Sequence, residues 1–440
     1  MRRLSFKTML LACATTMMLP AAAVAYPEGV TQRVSVGPGG VQANGASSND
    51  SIGVSASLRY IAYSSAATNL VAQRTSGSVD VYYTDLAIGR TLLVSRSWDG
   101  RRATGPSLQA TMTPDGRYVA FLSLADNLVP GDTNHAVDVF LRNMRTGKTE
   151  LVSLGTEGRQ GNSHSFGPAI SADGRYVAFY SLASNLVAND TNGALDVFVR
   201  DRLNATTTRV SVGPGGVQGN GTNSIFPLQH VAMSADGGVV AFLSDASNLV
   251  PGDTNGTLDV FARDLVKGTT ELVSRSNNKQ ADSYSVYPSL SVNGRFVAFA
   301  SEATNIVPKD TNGVADIFVR DRKTQTTRRV NLGPDAVQAN GESALPTISP
   351  DGTMVAYASI ATNLVAGDTN GFVDIFSSST TDTFTVRNSI AYDLAQGNGN
   401  SISQPAVTAR GRFVVYSSEA TNLVPGDTNG VADIFVHLPF

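Results

Sequence analysis

Short apolar runs alternate with polar turns along this chain, and the pattern repeats. Its clearest copy runs Ser171-Ala172-Asp173-Gly174-Arg175-Tyr176-Val177-Ala178-Phe179, then Asn185-Leu186-Val187, Asp190-Thr191-Asn192-Gly193 and Asp196-Val197-Phe198-Val199-Arg200-Asp201. The Asn of the Asn-Leu/Ile-Val element falls at positions 69, 127, 185, 248, 305, 363 and 422. The Asp that opens the next apolar run falls at 80, 138, 196, 259, 316, 374 and 433. Both series have intervals of 58, 58, 63, 57, 58 and 59 residues, so the chain is seven copies of one unit.

Each unit carries four strand patterns and no helical one. Val177-Ala178-Phe179 and Val197-Phe198-Val199 are apolar runs of the kind covered on both faces. Thr208 to Val212 alternates polar and apolar residues, and Pro168-Ala169-Ile170-Ser171 is a short strand joined to the next through the Asp173-Gly174 turn. Four short strands repeated seven times predict an all-β, seven-bladed β-propeller of four-stranded blades. The last unit stops after its third strand, near Phe435-Val436. The missing outer strand is found behind the N-terminus, as Gln32-Arg33-Val34-Ser35-Val36, followed by Gly37-Pro38-Gly39-Gly40-Val41-Gln42, a phrase that recurs at Gly213 to Gln218. Residues 26–50 are therefore expected to close the ring with 404–440, removing free sheet edges.

The set Asp173-Gly174-Arg175-Tyr176-Val177-Ala178-Phe179 followed by Asp196-Val197-Phe198-Val199 resembles the TolB-type, WD-repeat-like propeller repeat. The resemblance covers essentially the whole mature chain. It implies a propeller fold and a periplasmic or extracellular binding role. The α/β domain that precedes the propeller in TolB has no counterpart here, so TolB's own partners do not carry over.

The first 25 residues read as a signal peptide. Arg2, Arg3 and Lys7 form a basic start, Met9 to Leu19 is apolar but too short to span a bilayer, and Ala23-Val24-Ala25 supplies a cleavage pattern before Tyr26. The expected location is periplasmic or secreted. Leu10-Leu11-Ala12-Cys13 has the form of a lipoprotein box behind a very short apolar stretch. Cys13 is the only cysteine, so the mature chain has no disulfide, cysteine nucleophile or thiolate metal site. Removing Arg2, Arg3 and Lys7 from 33 basic residues leaves 30 against 36 acidic ones, a net charge of −6. That balance argues against nucleic acid and anionic membrane as partners, and no later segment is apolar enough to span a bilayer.

Because strands alternate in direction, the two long loops of each unit fall on one face, and binding on a rigid scaffold usually resides in such loops. The first long loop carries the candidate chemistry. Six units hold an Asp-Thr-Asn with a second Asp six positions after the first: Asp132, Asn134, Asp138; Asp190, Asn192, Asp196; Asp253, Asn255, Asp259; Asp310, Asn312, Asp316; Asp368, Asn370, Asp374; and Asp427, Asn429, Asp433. Two readings stand open. Two carboxylates, an amide oxygen and a turn-forming Gly suit calcium, as in a shortened form of the loops of integrin-type propellers, although one early ligand of that pattern is absent. The same residues also make Asx turns with no metal. The first unit has Arg74-Thr75-Ser76-Gly77 instead and should bind nothing. Asn185 and its equivalents, and Gln218 and Asn220 with theirs, are expected to brace the loops.

No catalytic motif is present, and the four histidines, at 135, 164, 230 and 437, do not follow the repeat. The expectation is a non-catalytic propeller that binds a protein, peptide or glycan through its long-loop face, with calcium as a tentative stiffener. The alternative is a polysaccharide-acting lyase or glycosidase. It would use the one asymmetric insertion, five residues holding Phe226, Pro227, Gln229 and His230.

Overall fold

The computed structural model of the protein describes residues 29–48, 50–72, 75, 77–221, 231–276 and 279–438. The expected export segment 1–25, Arg74 and Ser76 of the Arg74 to Gly77 stretch and the insertion with His230 lie outside the described residues. Among those described, 28 strands form seven antiparallel sheets of four. Blade 3 is typical, with strands Ser165–Ile170, Tyr176–Ser181, Asp196–Asp201 and Thr206–Arg209 ordered from the central channel outwards. The other blades repeat it, and no described helix is long and apolar enough to cross a membrane.

Closure follows the expected route. Thr31–Arg33 is the outer strand of blade 7, pairing Thr31 with His437 and Arg33 with Phe435. Val34 N–H then bonds Ile434 O at 2.7 Å, and Ser35 Oγ donates to Asp433 at 2.5 Å. The regular ladder is displaced towards the N-terminus of the alternating segment in both blades 3 and 7. After Arg209 or Arg33 the chain bends away, and Val212 or Val36 makes only a bridge to Gln218 or Gln42. The innermost strand of blade 3 starts earlier than Pro168, because a bulge between Phe166 and Ala169 lets pairing continue to Ser165.

Each blade buries an aromatic pair between its second and third strands, from Tyr63–Tyr82 to Tyr416–Phe435, with ring centroids 5.7–6.1 Å apart. A size exchange accompanies it. Where the fifth position of the third strand is Arg (Arg142, Arg200, Arg263, Arg320), the second-strand aromatic is Phe. Where that position is shorter (Thr84, Ser378, His437), the aromatic is Tyr, which adds a hydroxyl. The Tyr63 and Tyr357 hydroxyls meet Thr84 and Ser378 at 3.3 and 2.8 Å, and Tyr416 donates to Asn388 O at 3.1 Å. Either solution satisfies the buried polar groups at the blade junction. Blade-to-blade approach is closest at Gly333, where a Cβ would lie 2.1 Å from the Asn363 carbonyl oxygen, so glycine is required by contact rather than by backbone conformation.

If the N-terminal strand closes the ring, removing it should cost more than an end strand ordinarily would. Arg33→Ala is expected to lower stability by ~3–5 kcal/mol by stranding buried carboxylates, and a chain beginning at residue 37 by more. Equilibrium urea unfolding checks both, and an unchanged midpoint for the shortened chain would rule out closure by this strand.

Candidate functional site

The two long loops of each blade meet on one face and lock together through the residues expected to brace them. Asn185 Nδ2 donates to Gln160 O at 2.8 Å while its Oδ1 accepts from Asn162 N–H at 3.0 Å. Gln218 Nε2 donates to Asn189 O at 2.7 Å, and its Oε1 accepts from Thr191 N–H at 3.2 Å.

The Asp residues singled out for calcium lie at the centre of this lock. The second Asp of each loop is buried at the start of the third strand. It accepts from a hydroxyl just beyond the outer strand: Ser35, Ser153, Ser211, Ser274 or Ser389, with Asn331 Nδ2 in blade 5. The loop Asn donates to the same carboxylate, as Asn134 to Asp138 at 2.8 Å and Asn192 to Asp196 at 3.0 Å. Its own oxygen closes an Asx turn, accepting Ala136 N–H at 2.9 Å in blade 2.

In four of the six loops an arginine of the outer strand lies between the two carboxylates. Arg33 reaches Asp427 and Asp433 at 3.0 and 3.5 Å, and Arg209 reaches Asp190 and Asp196 at 3.2 and 3.5 Å. Arg329 reaches Asp310 and Asp316 at 3.0 and 2.7 Å, and Arg387 reaches Asp368 and Asp374 at 3.0 and 3.3 Å. These loops already hold a cation, which does not fit a calcium ion between the same oxygens. In blades 2 and 4 the outer-strand residue is Leu151 or Leu272. There the Gln amide turns to the carboxylates instead: Gln160 Nε2 donates to Asp132 at 2.5 Å and Asp138 at 3.3 Å, and Gln280 Nε2 to Asp253 at 2.6 Å and Asp259 at 2.9 Å. Without a guanidinium, burial pushes the Asp138 and Asp259 carboxyls up to about 6. Among the described residues no three His, Cys, Asp or Glu side chains are grouped to hold a metal ion.

The described histidines are structural. His135 pairs with Asp126 at 2.8 Å on the surface, His164 Nδ1 accepts Val137 N–H at 3.0 Å, and buried His437 meets Thr31 at 3.0 Å.

Asymmetry gathers at the mouth of the central channel on the long-loop face. Each blade contributes the residue that follows its second strand, and the chain before its innermost strand supplies a second one. On blades 1 to 3 these are Ala66 with Ala46, Leu124 with Pro106 and Leu182 with His164, each pair joined by a backbone hydrogen bond. On blades 5 to 7 they are Glu302 with Tyr284, Ile360 with Glu342 and Glu419 with Asn400, and blade 4 offers Asp245. Leu124 and Leu182 stay 42% and 36% exposed. Half of the mouth is apolar and half acidic. Beneath it lies Asp50, a residue outside the repeat, which accepts from Ser48 Oγ at 2.5 Å, Ser64 Oγ at 2.9 Å and Gln109 N–H at 2.7 Å. Burial raises its carboxyl above the ordinary range. Gln109 (φ 54°), Tyr287 (φ 56°) and Leu345 (φ 56°) take left-handed conformations at the bulges of innermost strands, a strain of the kind that clusters at functional surfaces. The channel itself is narrow, about 240 Å³.

No protein-family model and no curated protein matches the sequence. Solved structures match in fold. An oligogalacturonate lyase in complex with manganese gives a TM-score of 0.54 at 10% identity, covering 93% of each chain. The β-propeller domain of the Trilobed protease from Pyrococcus furiosus gives 0.50 at 12% identity, over 89% of this chain and 92% of that domain. TolB from Acinetobacter baumannii gives 0.38 at 17% identity; the match covers 70% of this chain and spans 61% of TolB's length. The protein is thus a seven-bladed propeller with distant structural similarity to TolB, lyase and peptidase propellers.

The raised carboxyls set a direction for pH. A carboxyl that holds its proton more tightly in the folded chain contributes its full stability below the ordinary carboxylate value near 4 and loses it as pH climbs through about 6. Leu151→Arg and Leu272→Arg supply the guanidinium that four sister blades possess. Each is expected to stabilise the protein by on the order of 1–3 kcal/mol at pH 8 and by less at pH 5, read as urea midpoints. An equal gain at both pH values would contradict the assignment.

Proposed function

We propose that this is an exported, non-catalytic propeller that binds a protein, peptide or glycan at its long-loop face. The observation that carries the reading is the divided channel mouth, where Leu124 and Leu182 face Asp245, Glu302 and Glu419 in a ring that is otherwise repetitive. The interlocked loops support it by presenting these residues without loop ordering at binding, which lowers the entropic cost. Peptide and glycan arrays with the mature protein test the reading. Leu124→Asp with Leu182→Asp should weaken any ligand about tenfold or more at unchanged melting temperature. Ligands bound equally by the double variant would move the site off the mouth.

Calcium belongs to the proposal in the loops of blades 2 and 4, Asp132 with Asp138 and Asp253 with Asp259, where no arginine competes. Calorimetric titration of calcium is expected to give at most two sites, both lost in the Leu151→Arg, Leu272→Arg protein. No heat at millimolar calcium, or binding that survives these changes, would remove the ion from these loops.

A further inference from the structure

The junction between blades 6 and 7 differs around its outer rim from the junctions that precede blades 3 and 5. Between blades 2 and 3, two arginine contacts span the gap, and a third ion pair braces blade 3 itself. Arg200 Nη1 donates to Gly155 O at 2.9 Å, Arg202 pairs with Glu150 of the preceding blade, and Arg175 clasps Asp201 at 2.7 Å. Blade 5 repeats two of them, through Arg322 with Glu271 and Arg295 with Asp321. At the junction of blades 6 and 7 the equivalent positions read differently. His437 stands for Arg200, Val386 for Glu150, and Leu438 for Asp201. The shorter, uncharged residues leave a groove of about 1150 Å³.

The wall chemistry of this groove is one-sided. Val386, Phe384, Ile390 and Phe413 supply apolar surface, and among the described residues no Asp or Glu lines it. Arg387 lies along it but is already paired with Asp368 and Asp374. At the end of the groove opposite the long loops stand Arg410 and Arg412. Arg412 has lost the aspartate that clasps Arg175 and Arg295, and its guanidinium rests over the Phe413 ring at 5.3 Å. Arg410 occupies the turn position held by Asp173 in blade 3, a reversal of charge, and adopts φ 61°. No ion pair among the described residues engages Arg410 or Arg412. Two exposed cations beside an apolar trough, in a chain with net charge −3, call for an anionic partner with apolar side chains. The groove opens along Thr385–Arg387, the outer strand of blade 6. This is a sheet edge whose outward backbone groups can pair with an added strand. That feature favours a peptide over a lipid.

We propose that the groove between blades 6 and 7 is a second binding site, which takes an extended peptide carrying apolar side chains followed by carboxylates, with the carboxylates at Arg410 and Arg412. It is separate from the channel mouth and does not rest on the reading of that face.

The test uses the mature protein and a dye-labelled Gly-Leu-Val-Leu-Val-Glu-Glu peptide with a free C-terminus, followed by fluorescence anisotropy. Saturable binding is expected. It should weaken about tenfold or more in Arg410→Glu with Arg412→Glu, and likewise in Val386→Glu, while Glu302→Lys with Glu419→Lys at the mouth leaves it unchanged. Both arginines are exposed, so the double variant should melt with the parent. A counterpart peptide ending in Lys-Lys-amide should not bind. No binding below about 1 mM, binding unaffected by the arginine changes, or tighter capture of a medium-chain fatty acid than of the peptide would each overturn the proposal. So would peptide binding that appears only when residues 1–28 are removed, since the groove would then belong to that segment.

Discussion

The carboxylate that opens the third strand of every blade is the constraint on which the ring depends. It is withdrawn from water in all seven blades, at Asp80, Asp138, Asp196, Asp259, Asp316, Asp374 and Asp433. A buried charge is tolerated only when hydrogen bonds and a counter-charge replace its hydration. In blades 2 to 7 the hydroxyl or amide beyond the outer strand, the loop Asn and either an outer-strand Arg or the bracing Gln are that replacement, and together they fasten the third strand, the outer strand and both long loops of a blade. Strand pairing alone would leave those loops free. The carboxylate turns them into one rigid collar, and the collar positions the channel mouth.

Much of the architecture was legible because period and polarity agree. Seven copies at near-equal spacing, four strand patterns per unit and an orphan strand behind the N-terminus admit one closed arrangement, and the register of Thr31 to Arg33 against Phe435 to His437 is that arrangement. The loops were legible only as composition. Asp-x-Asn-Gly-x-x-Asp is compatible with a metal or with a turn, and the residue that bears on the choice lies on another strand. Arg33, Arg209, Arg329 and Arg387 against Leu151 and Leu272 are visible in the sequence, yet they acquire meaning only when the fold brings the outer strand over the loop. The channel mouth was hidden for a related reason. Leu182, Glu302 and Glu419 occupy equivalent positions 120 and 117 residues apart along the chain, and their contrast is apparent only as a ring. Asp50 belongs to no repeat position, so periodicity passes over it.

In a pseudo-symmetric ring, function must come from departures from the repeat, since whatever is common to all blades serves the fold. The departures here are of two physical kinds. Some remove a counter-charge, as Leu151 and Leu272 do, and change the electrostatics of a buried pair without altering its geometry. Others change what a blade shows to solvent, as Leu124, Leu182, Glu302 and Glu419 do at the mouth. The first kind alters titration and ion affinity, and the second alters recognition. Both leave the aromatic pairs and the strand ladders untouched, which is why they can accumulate without loss of the ring.

The seam between blades 6 and 7 shows how far this tolerance extends. Blade 7 is the one blade whose outer strand comes from the opposite end of the chain, so its attachment rests on non-covalent contacts: Arg33 with Asp427 and Asp433, Ser35 with Asp433, Gln42 with the Gly426 carbonyl and Asn429 with Ala43. All of these sit at the long-loop end. The opposite end of the seam has exchanged the arginine straps seen beside blades 3 and 5 for Val386, His437 and Leu438. There Thr31 Oγ donates to the Ile390 carbonyl at 2.7 Å and meets His437 at 3.0 Å, so a hydroxyl replaces the guanidinium strap, while the aromatic pair Tyr416–Phe435 holds the sheet beneath the collar. The charge requirement on the lower rim is thereby relaxed, and that is where the chain places Arg410 and Arg412, which form no ion pair among the described residues, beside an apolar trough.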